Sequence, residues 1–275
     1  MNATEQSAET DSEQKFYTQE EARQLARMNA WLQMHVDCFK KEDALFNTGA
    51  PFYPVTGDLL SCVPTLPPVE IRNTVSSPSM AGYLVTADAY AIFLAKLIRP
   101  HSTVLDVGCG CGKHARSLIT HPLISRYIGL DVYKPSIDWC NESLVPCSEG
   151  RYEFHHIDVF SDAYNLNGIV RGTEVSFPVA QSCVDLAFAI SLFTHLLYDD
   201  ARHYLDEIRR AMKPTGEILL TMIENEENAE SFTGNEIRFL YKSDFFISMV
   251  ASAGFRLKRH LGRFFEQDAY LFEPR

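Results

Sequence analysis

From about residue 100 onward, short apolar runs alternate with stretches of helical spacing. Runs at 104–107, 127–130, 152–157 and 184–190 have the length of strands and are rich in β-branched, leucine and aromatic residues. Helical spacing follows at 114–119, 135–144 and 198–212, and Gly216 opens a fifth strand over 217–222. The run at 184–190 is apolar almost throughout, which predicts a central strand covered on both faces. Strand–helix alternation of this kind predicts a parallel, doubly wound sheet with right-handed crossovers. The C-terminal rhythm differs: a helix over 243–253 ends at Gly254, and strands at 255–261 and 268–272 are joined by a short connection at Gly262. So short a link allows only an antiparallel pair. The expected fold class is α/β, a seven-stranded mostly parallel sheet with an antiparallel last strand.

Upstream the pattern is looser. Residues 1–14 are polar and acidic, the composition of a disordered tail. Thr18 and Glu21 stand at capping-box spacing, and Leu25, Met28, Leu32, His35 and Phe39 then form one apolar stripe of a helix reaching about Lys41. The Pro-, Gly- and Ser-rich stretch 49–78 reads as an irregular connection, followed by a helix over 87–97 closed by Pro100. The expected organisation is a tail (1–14), a helical N-terminal extension or lid (15–85) and an α/β domain (86–275).

Composition narrows the function classes. With 25 Lys and Arg against 36 Asp and Glu, the net charge of −11 offers no overall field for nucleic acid or anionic lipid. No apolar run approaches the ~20 residues of a membrane-spanning helix, and the N-terminus lacks the basic start and apolar stretch of a secretory signal. The seven cysteines are scattered, as expected of reduced thiols in a cytoplasmic setting. Cys109 and Cys111 have no second pair at ligand spacing, so no metal is expected.

The strongest chemical signal is Asp106-Val107-Gly108-Cys109-Gly110-Cys111-Gly112, between the first strand and a helix. Glycines allow positive φ and bring a ligand against bare backbone, and in an open α/β sheet the ligand crevice lies beside this first loop. The glycine pattern, with Lys113 next, misses the third glycine of a dinucleotide fingerprint. Asp131 ends the second strand, where a carboxylate accepts ribose hydroxyls, and Asp158 ends the third, where a carboxylate or a neighbouring amide reads an adenine edge. Together these describe a nucleoside carrying positive charge and no phosphate.

At these residues the chain resembles the class I S-adenosylmethionine-dependent methyltransferases. VLDVGCGCG matches the family's first motif, IGLDVYK its second, HHIDVF its third-strand motif, VDLAFAISLFTHL its fourth, and DEIRRAMKPTGEILLT its helix–turn–fifth-strand element. The resemblance covers roughly 85–275 and implies S-adenosyl-L-methionine as cofactor. It implies that Gly108, Cys109 and Gly110 line the methionine portion, with Asp106 supporting that loop. Asp131 would hold the ribose and Val132 would pack on the adenine. Asp158 and Val159 would contact the adenine, and Ala189 and Ser191 would lie beneath the methyl donor.

His195, in SLFTHL, falls where the acceptor should arrive and is the candidate catalytic base. His114 reads as a cover for the cofactor, one of His155 and His156 as buried and the other as solvent-facing, and 224–226 as a solvated acidic loop. The fourth-strand motif lacks the Asn/Asp-Pro-Pro-aromatic sequence of enzymes that methylate planar nitrogens. No acidic set marks a magnesium-bound catechol site. The largest insertion, 161–181, together with the N-terminal 85 residues, points to methylation of an oxygen or nitrogen on a small or glycan-like acceptor. No nucleic-acid or membrane partner is expected, and a homodimer is compatible with the sequence. Two rival readings remain: a non-catalytic, cofactor-binding partner subunit, and a nicotinamide-dependent oxidoreductase.

Overall fold

Five parallel strands, β1 (Ser102–Val107), β2 (Ile124–Asp131), β3 (Tyr152–His156), β4 (Val184–Ala189) and β5 (Met212–Met222), build most of one sheet. A separate hairpin follows, β6 (Phe232–Asn235) and β7 (Arg238–Tyr241), and then β8 (Phe255–Phe264) and β9 (Gln267–Pro274) return to the sheet. The order is β3-β2-β1-β4-β5-β9-β8, with β9 antiparallel to both of its neighbours. Only the strand that comes last in sequence is therefore reversed, and it lies one place in from the edge. This computed structural model describes residues 66–75, 80–225, 230–235 and 237–275, all within the unit Val55–Arg275. The expected tail 1–14 and the capped helix 18–41 lie outside the described residues.

Helices α1 (Val69–Thr74), α2 (Met80–Leu97), α3 (Lys113–Leu118), α4 (Lys134–Ser143), α5 (Tyr198–Ala211) and α6 (Ser243–Ser252) complete the described elements of regular helix. Alternation along the strands sorts the core into two layers. Leu105, Val107, Ala187, Ala189, Ile218 and Leu220 pack with α5 and α6 through Tyr204, Leu205, Ile208, Phe246 and Val250. Val104, Leu186, Phe188 and Leu219 pack with α2, α3 and α4 through Tyr83, Leu94, Leu118 and Trp139. In α5 the apolar positions 201, 204, 205 and 208 form one stripe, while Asp199 and Asp200 in the first turn and Arg209 and Arg210 in the last match the helix dipole.

Several boundaries differ from the sequence reading. α2 begins at Met80, not residue 87, because its first turns are apolar on most sides and no periodicity marks their start. Within the stretch read as irregular, Pro67 and Pro68 lead directly into α1, a position that preset proline φ angles suit. β5 begins at Met212, which pairs with Val184 before the register shifts to Leu186 opposite Glu217. Pro214 falls in that shift, where no ladder hydrogen bond is required of it. Gly262 does not make the C-terminal turn. It lies inside β8 at a register shift with φ 93°, and the turn is formed by Phe265 and Glu266. The hairpin β6–β7 had no sequence signal, being two short runs with Gly234 inside the first, opposite Phe239.

The exposed edge strand β8 carries Arg256, Lys258 and Arg259, a cationic rim that discourages edge-to-edge pairing. Arg256 pairs with Glu273 at 2.7 Å, and Lys258 pairs with Glu217. No described helix is long and apolar enough to cross a membrane.

One close approach between β2 and its neighbours is decisive. A Cβ at Gly129 of β2 would lie 2.4 Å from Phe154 Cδ1 and 3.0 Å from Cys109 Sγ, so the strand passes its neighbours only because this position has no side chain. Gly129→Ala is expected to destabilise the domain by about 1–3 kcal/mol, the usual range for overpacking. Adding Phe154→Leu should recover part of that loss. Urea unfolding measures both, and an unchanged midpoint for the single variant would contradict the packing.

Candidate functional site

The loop after β1 turns on three left-handed glycines, Gly108, Gly110 and Gly112, at φ 76°, 52° and 65°. The amides of Gly108 and Cys109 both donate to the Leu130 carbonyl of β2, at 2.8 and 3.0 Å. The Gly110 amide donates to Asp131 Oδ2 at 2.7 Å, and the Tyr133 amide to Asp131 Oδ1 at 2.8 Å. One carboxylate thus joins the glycine loop to the turn after β2. A Cβ on Gly108 would come 3.0 Å from Leu192 Cδ1, and one on Gly110 would come 2.5 Å from Val75 Cγ1. The loop is a bare backbone cradle with α1's flank on one side and the turn after β4 on the other.

Asp106 and Asp131 are held differently. Asp106 sits in the α2–α3–α4 layer, 1% exposed, and accepts the Tyr127 hydroxyl at 2.6 Å. Burial pushes its pKa up to about 8, opposed by the Tyr127 hydrogen bond and reinforced by Asp131. Burial likewise raises the Asp131 pKa, against amide hydrogen bonds from Tyr133, Gly110 and Val132. Cys109 is buried, and its thiol is pushed well up by burial first and by Asp106 next.

After β3, Asp158 Oδ1 accepts the Asn165 side-chain amide at 3.1 Å. The Asp158 carbonyl takes the amides of Ile169 and Val170 at 3.1 and 3.0 Å. Val159 is buried and bridges to Val170, and Val132 is partly buried against the α5–α6 layer. Beyond β4, Ala189 is fully buried and Ser191 adopts φ 65°, a left-handed conformation unusual for a residue with a side chain. Its amide donates to Thr221 Oγ1, its Oγ accepts from Gln267 Nε2, and its carbonyl accepts from Thr194 Oγ1, each at 2.7 Å. These three bonds hold the strained turn that carries the next residues.

His195 lies on that turn. The Tyr164 hydroxyl stands 3.4 Å from each of its ring nitrogens, and the two rings are nearly perpendicular with centroids 5.3 Å apart. Burial and the charge of Asp131 raise the Tyr164 pKa, so the phenol lies within that carboxylate's field. Tyr164, Asn165, Thr221 and Gln267 were not singled out from the sequence. Their chain positions, in an irregular insertion and at two strand ends, carry no spacing that marks them.

Other sequence candidates resolve into structure. His114 is buried edge-on against Tyr90 and Phe188, and burial, with Lys113 next, lowers its pKa to about 3. His155 and His156 are both half-buried rather than one in and one out, because β3 is the edge of the sheet. The acidic loop is not a solvated one where it is described: Asn225 is buried, its Nδ2 donates to the Glu230 carbonyl at 2.8 Å, and Glu224 accepts the Ser243 amide at 3.2 Å. Glu226 lies outside the described residues.

Residues 105–220 match the sequence family described as a methyltransferase domain. The sheet order β3-β2-β1-β4-β5-β9-β8, with its single reversed strand, is that of the fold shared with solved S-adenosylmethionine-dependent methyltransferases. Among characterised relatives, a sterol 24-C-methyltransferase of Gibberella zeae is 26% identical over 178 residues, 59% of this chain and 42% of that one. The chain thus spans under half the length of that relative. An S-adenosylmethionine-dependent methyltransferase of Aquifex aeolicus shares the fold at TM-score 0.53 and 18% identity, covering 77% of this chain and all of that one. The 1,6-didemethyltoxoflavin-N1-methyltransferase of Burkholderia thailandensis does so at TM-score 0.51 and 16% identity, covering 77% and 92%.

The neutral Asp106 has a measurable signature. Its folded pKa of about 8 lies above the unfolded carboxyl value of about 3.9, so the native state holds one more proton between these limits. Its contribution to stability is full below pH ~4 and falls as pH rises toward ~8, by at most about 1.4 kcal/mol per pH unit. Asp106→Asn should remove that slope. Denaturation of both proteins across this window should give diverging curves; parallel curves would refute the assignment.

Proposed function

We propose that this chain transfers the methyl group of S-adenosylmethionine to an oxygen or nitrogen of a small metabolite or sugar-containing acceptor in the cytoplasm, with His195 receiving the acceptor's proton. The observation that carries this reading is the meeting of His195 with Tyr164 on the turn after β4, within the field of Asp131. The residues present suit the cofactor. Three left-handed glycines leave the loop bare, and Asp131 has about four acceptor directions, of which amides of Gly110, Val132 and Tyr133 use three. One direction is left for a sugar hydroxyl. Gly108, Cys109 and Gly110 would border the methionine portion, Val132, Asp158 and Val159 the adenine, and Ala189 and Ser191 the region beneath the methyl.

S-adenosylmethionine bound there supplies a methyl carbon that bonds to the acceptor heteroatom as its bond to sulfur breaks, the electron pair remaining on sulfur as a neutral thioether. The acceptor's proton passes to an imidazole nitrogen of His195. The rest of the protein's task is alignment and exclusion of water. Val75, packed against Gly110, supports a covering role for the N-terminal extension.

A second reading, methylation of a carbon on an apolar acceptor, is favoured by Leu166, Ile169 and Leu197, which stand 69%, 85% and 48% exposed on the segments that carry Tyr164 and His195. The sterol-methylating relative supports the same reading. Labelled-methyl transfer to a panel of sugars, phenols, amines and sterols separates the two, and no transfer to any acceptor favours a non-catalytic cofactor-binding role.

Asp131→Ala should weaken S-adenosylmethionine binding tenfold or more, about 1.5–3 kcal/mol for a lost bond to a charged group. Calorimetry showing unchanged affinity would overturn the ribose assignment. His195→Ala should lower kcat by about 10²–10⁴-fold with cofactor affinity intact. A fully active variant would remove His195 from the chemistry.

A further inference from the structure

We propose that Gln267 is a positioning residue for the methionine end of S-adenosylmethionine: from the start of β9 it fixes the turn after β4, and that turn sets the room beside Gly108. The proposal rests on the reading that Gly108, Cys109 and Gly110 border the methionine portion, and its test separates the two.

Gln267 holds two hydroxyls with one amide. Its Oε1 accepts the Thr221 hydroxyl, and its Nε2 donates to Ser191 Oγ at 2.7 Å. Thr221 Oγ1 also accepts the Ser191 amide at 2.7 Å. With its hydrogen given to Gln267, that oxygen turns a lone pair to the Ser191 N–H. One side chain thus governs two of the three hydrogen bonds on Ser191, and the third, from Thr194 Oγ1 to the Ser191 carbonyl, lies within the turn. Ser191 needs such holding because φ 65° is unfavourable for a residue with a side chain.

Gln267 has a firm base from which to act. It pairs with Phe264 across the β8–β9 turn. The Phe264 ring lies 5.8 Å from that of Tyr90 and 4.4 Å from that of Phe93, and the Phe265 ring lies 6.1 Å from Tyr90. Aromatic packing therefore braces the start of β9 on α2.

Leu192 carries the placement to the glycine loop. On one side of it stands Ser191, held from β5 and β9. On the other stand Phe193 and Thr194, whose carbonyls accept the Tyr241 hydroxyl at 2.9 Å and the Phe239 amide at 2.8 Å. Between these fixed flanks Leu192 is pressed on the bare face of Gly108: a Cβ there would stand 3.0 Å from Leu192 Cδ1 and 3.2 Å from Leu192 Cβ. Gly108 is fixed in turn by its amide, which donates to the Leu130 carbonyl at 2.8 Å. Contacts this close leave no slack, so a small shift at Ser191 changes the space beside Gly108. Val132, Asp158 and Val159, which would border the adenine, follow β2 and β3 on the far side of β1. The effect of Gln267 is therefore confined to the methionine end.

Calorimetry on the full chain with two probes reads this difference. S-adenosylhomocysteine carries the amino-acid end, whereas 5′-methylthioadenosine keeps the nucleoside and thioether and lacks that end. The wild-type protein should bind the first more tightly. Gln267→Leu, similar in volume and without polar atoms, should weaken S-adenosylhomocysteine about five- to tenfold, the scale of a neutral hydrogen bond, and leave 5′-methylthioadenosine within about twofold. Thr221→Val should act in the same direction: it keeps the shape of a fully buried residue that no ligand can touch and removes the hydroxyl shared by Gln267 and Ser191. Gln267→Glu at about pH 8 should restore most of the preference, since a carboxylate accepts from both hydroxyls and the bridge persists with the Ser191 bond reversed. A preference that survives Gln267→Leu or Thr221→Val overturns the positioning role. So does an equal loss for both probes, which marks general loosening, or a Gln267→Glu variant no better than Gln267→Leu. Wild-type affinity that is equal for the two probes, or absent for both, overturns the methionine assignment of Gly108 itself and this role with it.

Discussion

The carboxylate of Asp131 is the constraint on which the site depends. It accepts amides from the loop after β1 and from the turn after β2, so two neighbouring crossovers share one anchor at the carboxyl edge of the sheet. A buried carboxylate is unfavourable unless its oxygens are hydrogen-bonded, and the geometry that satisfies Asp131 is the geometry that holds the glycine loop open. Asp131 also adds to the raised pKa of Tyr164, after burial.

One strained residue lies on the turn after β4. Ser191 occupies a left-handed conformation immediately after β4, and it is held by Thr221 on β5, by Gln267 at the start of β9 and by Thr194 of its own turn. A residue with a side chain persists there only when its surroundings over-determine it. The reversed strand β9 thus has a role beyond closing the sheet: by running antiparallel it brings its first residue, Gln267, to the carboxyl ends of β4 and β5. The hairpin β6–β7 braces the same turn, with the Phe239 amide on the Thr194 carbonyl at 2.8 Å and the Tyr241 hydroxyl on the Phe193 carbonyl at 2.9 Å.

Much of this architecture was legible before any coordinates. Strand periodicity, the apolar run of β4 and the short C-terminal link determined a mostly parallel sheet with one reversed strand, because those signals are local and a link of a few residues cannot cross over. The loop of Gly108, Gly110 and Gly112 and the acids at the strand ends were legible for the same reason: a strand end followed by glycine positions its neighbours without reference to distant residues. Errors fell where a local pattern had more than one meaning. Gly262 reads equally as a turn or a bulge, and Pro214 as a stop or as a residue passing through a register shift.

What the sequence determined by itself was therefore the fold class and the place of the glycine loop between β1 and the next helix, since both are written in spacings of a few residues. What only the tertiary structure decided was which side chains meet at the turn after β4. Tyr164 meets His195 across 31 positions of chain, and Gln267 meets Ser191 across 76. No period or motif links such pairs. They are neighbours because crossover handedness and strand order fold their loops onto one edge of the sheet, a consequence of packing two apolar layers against it.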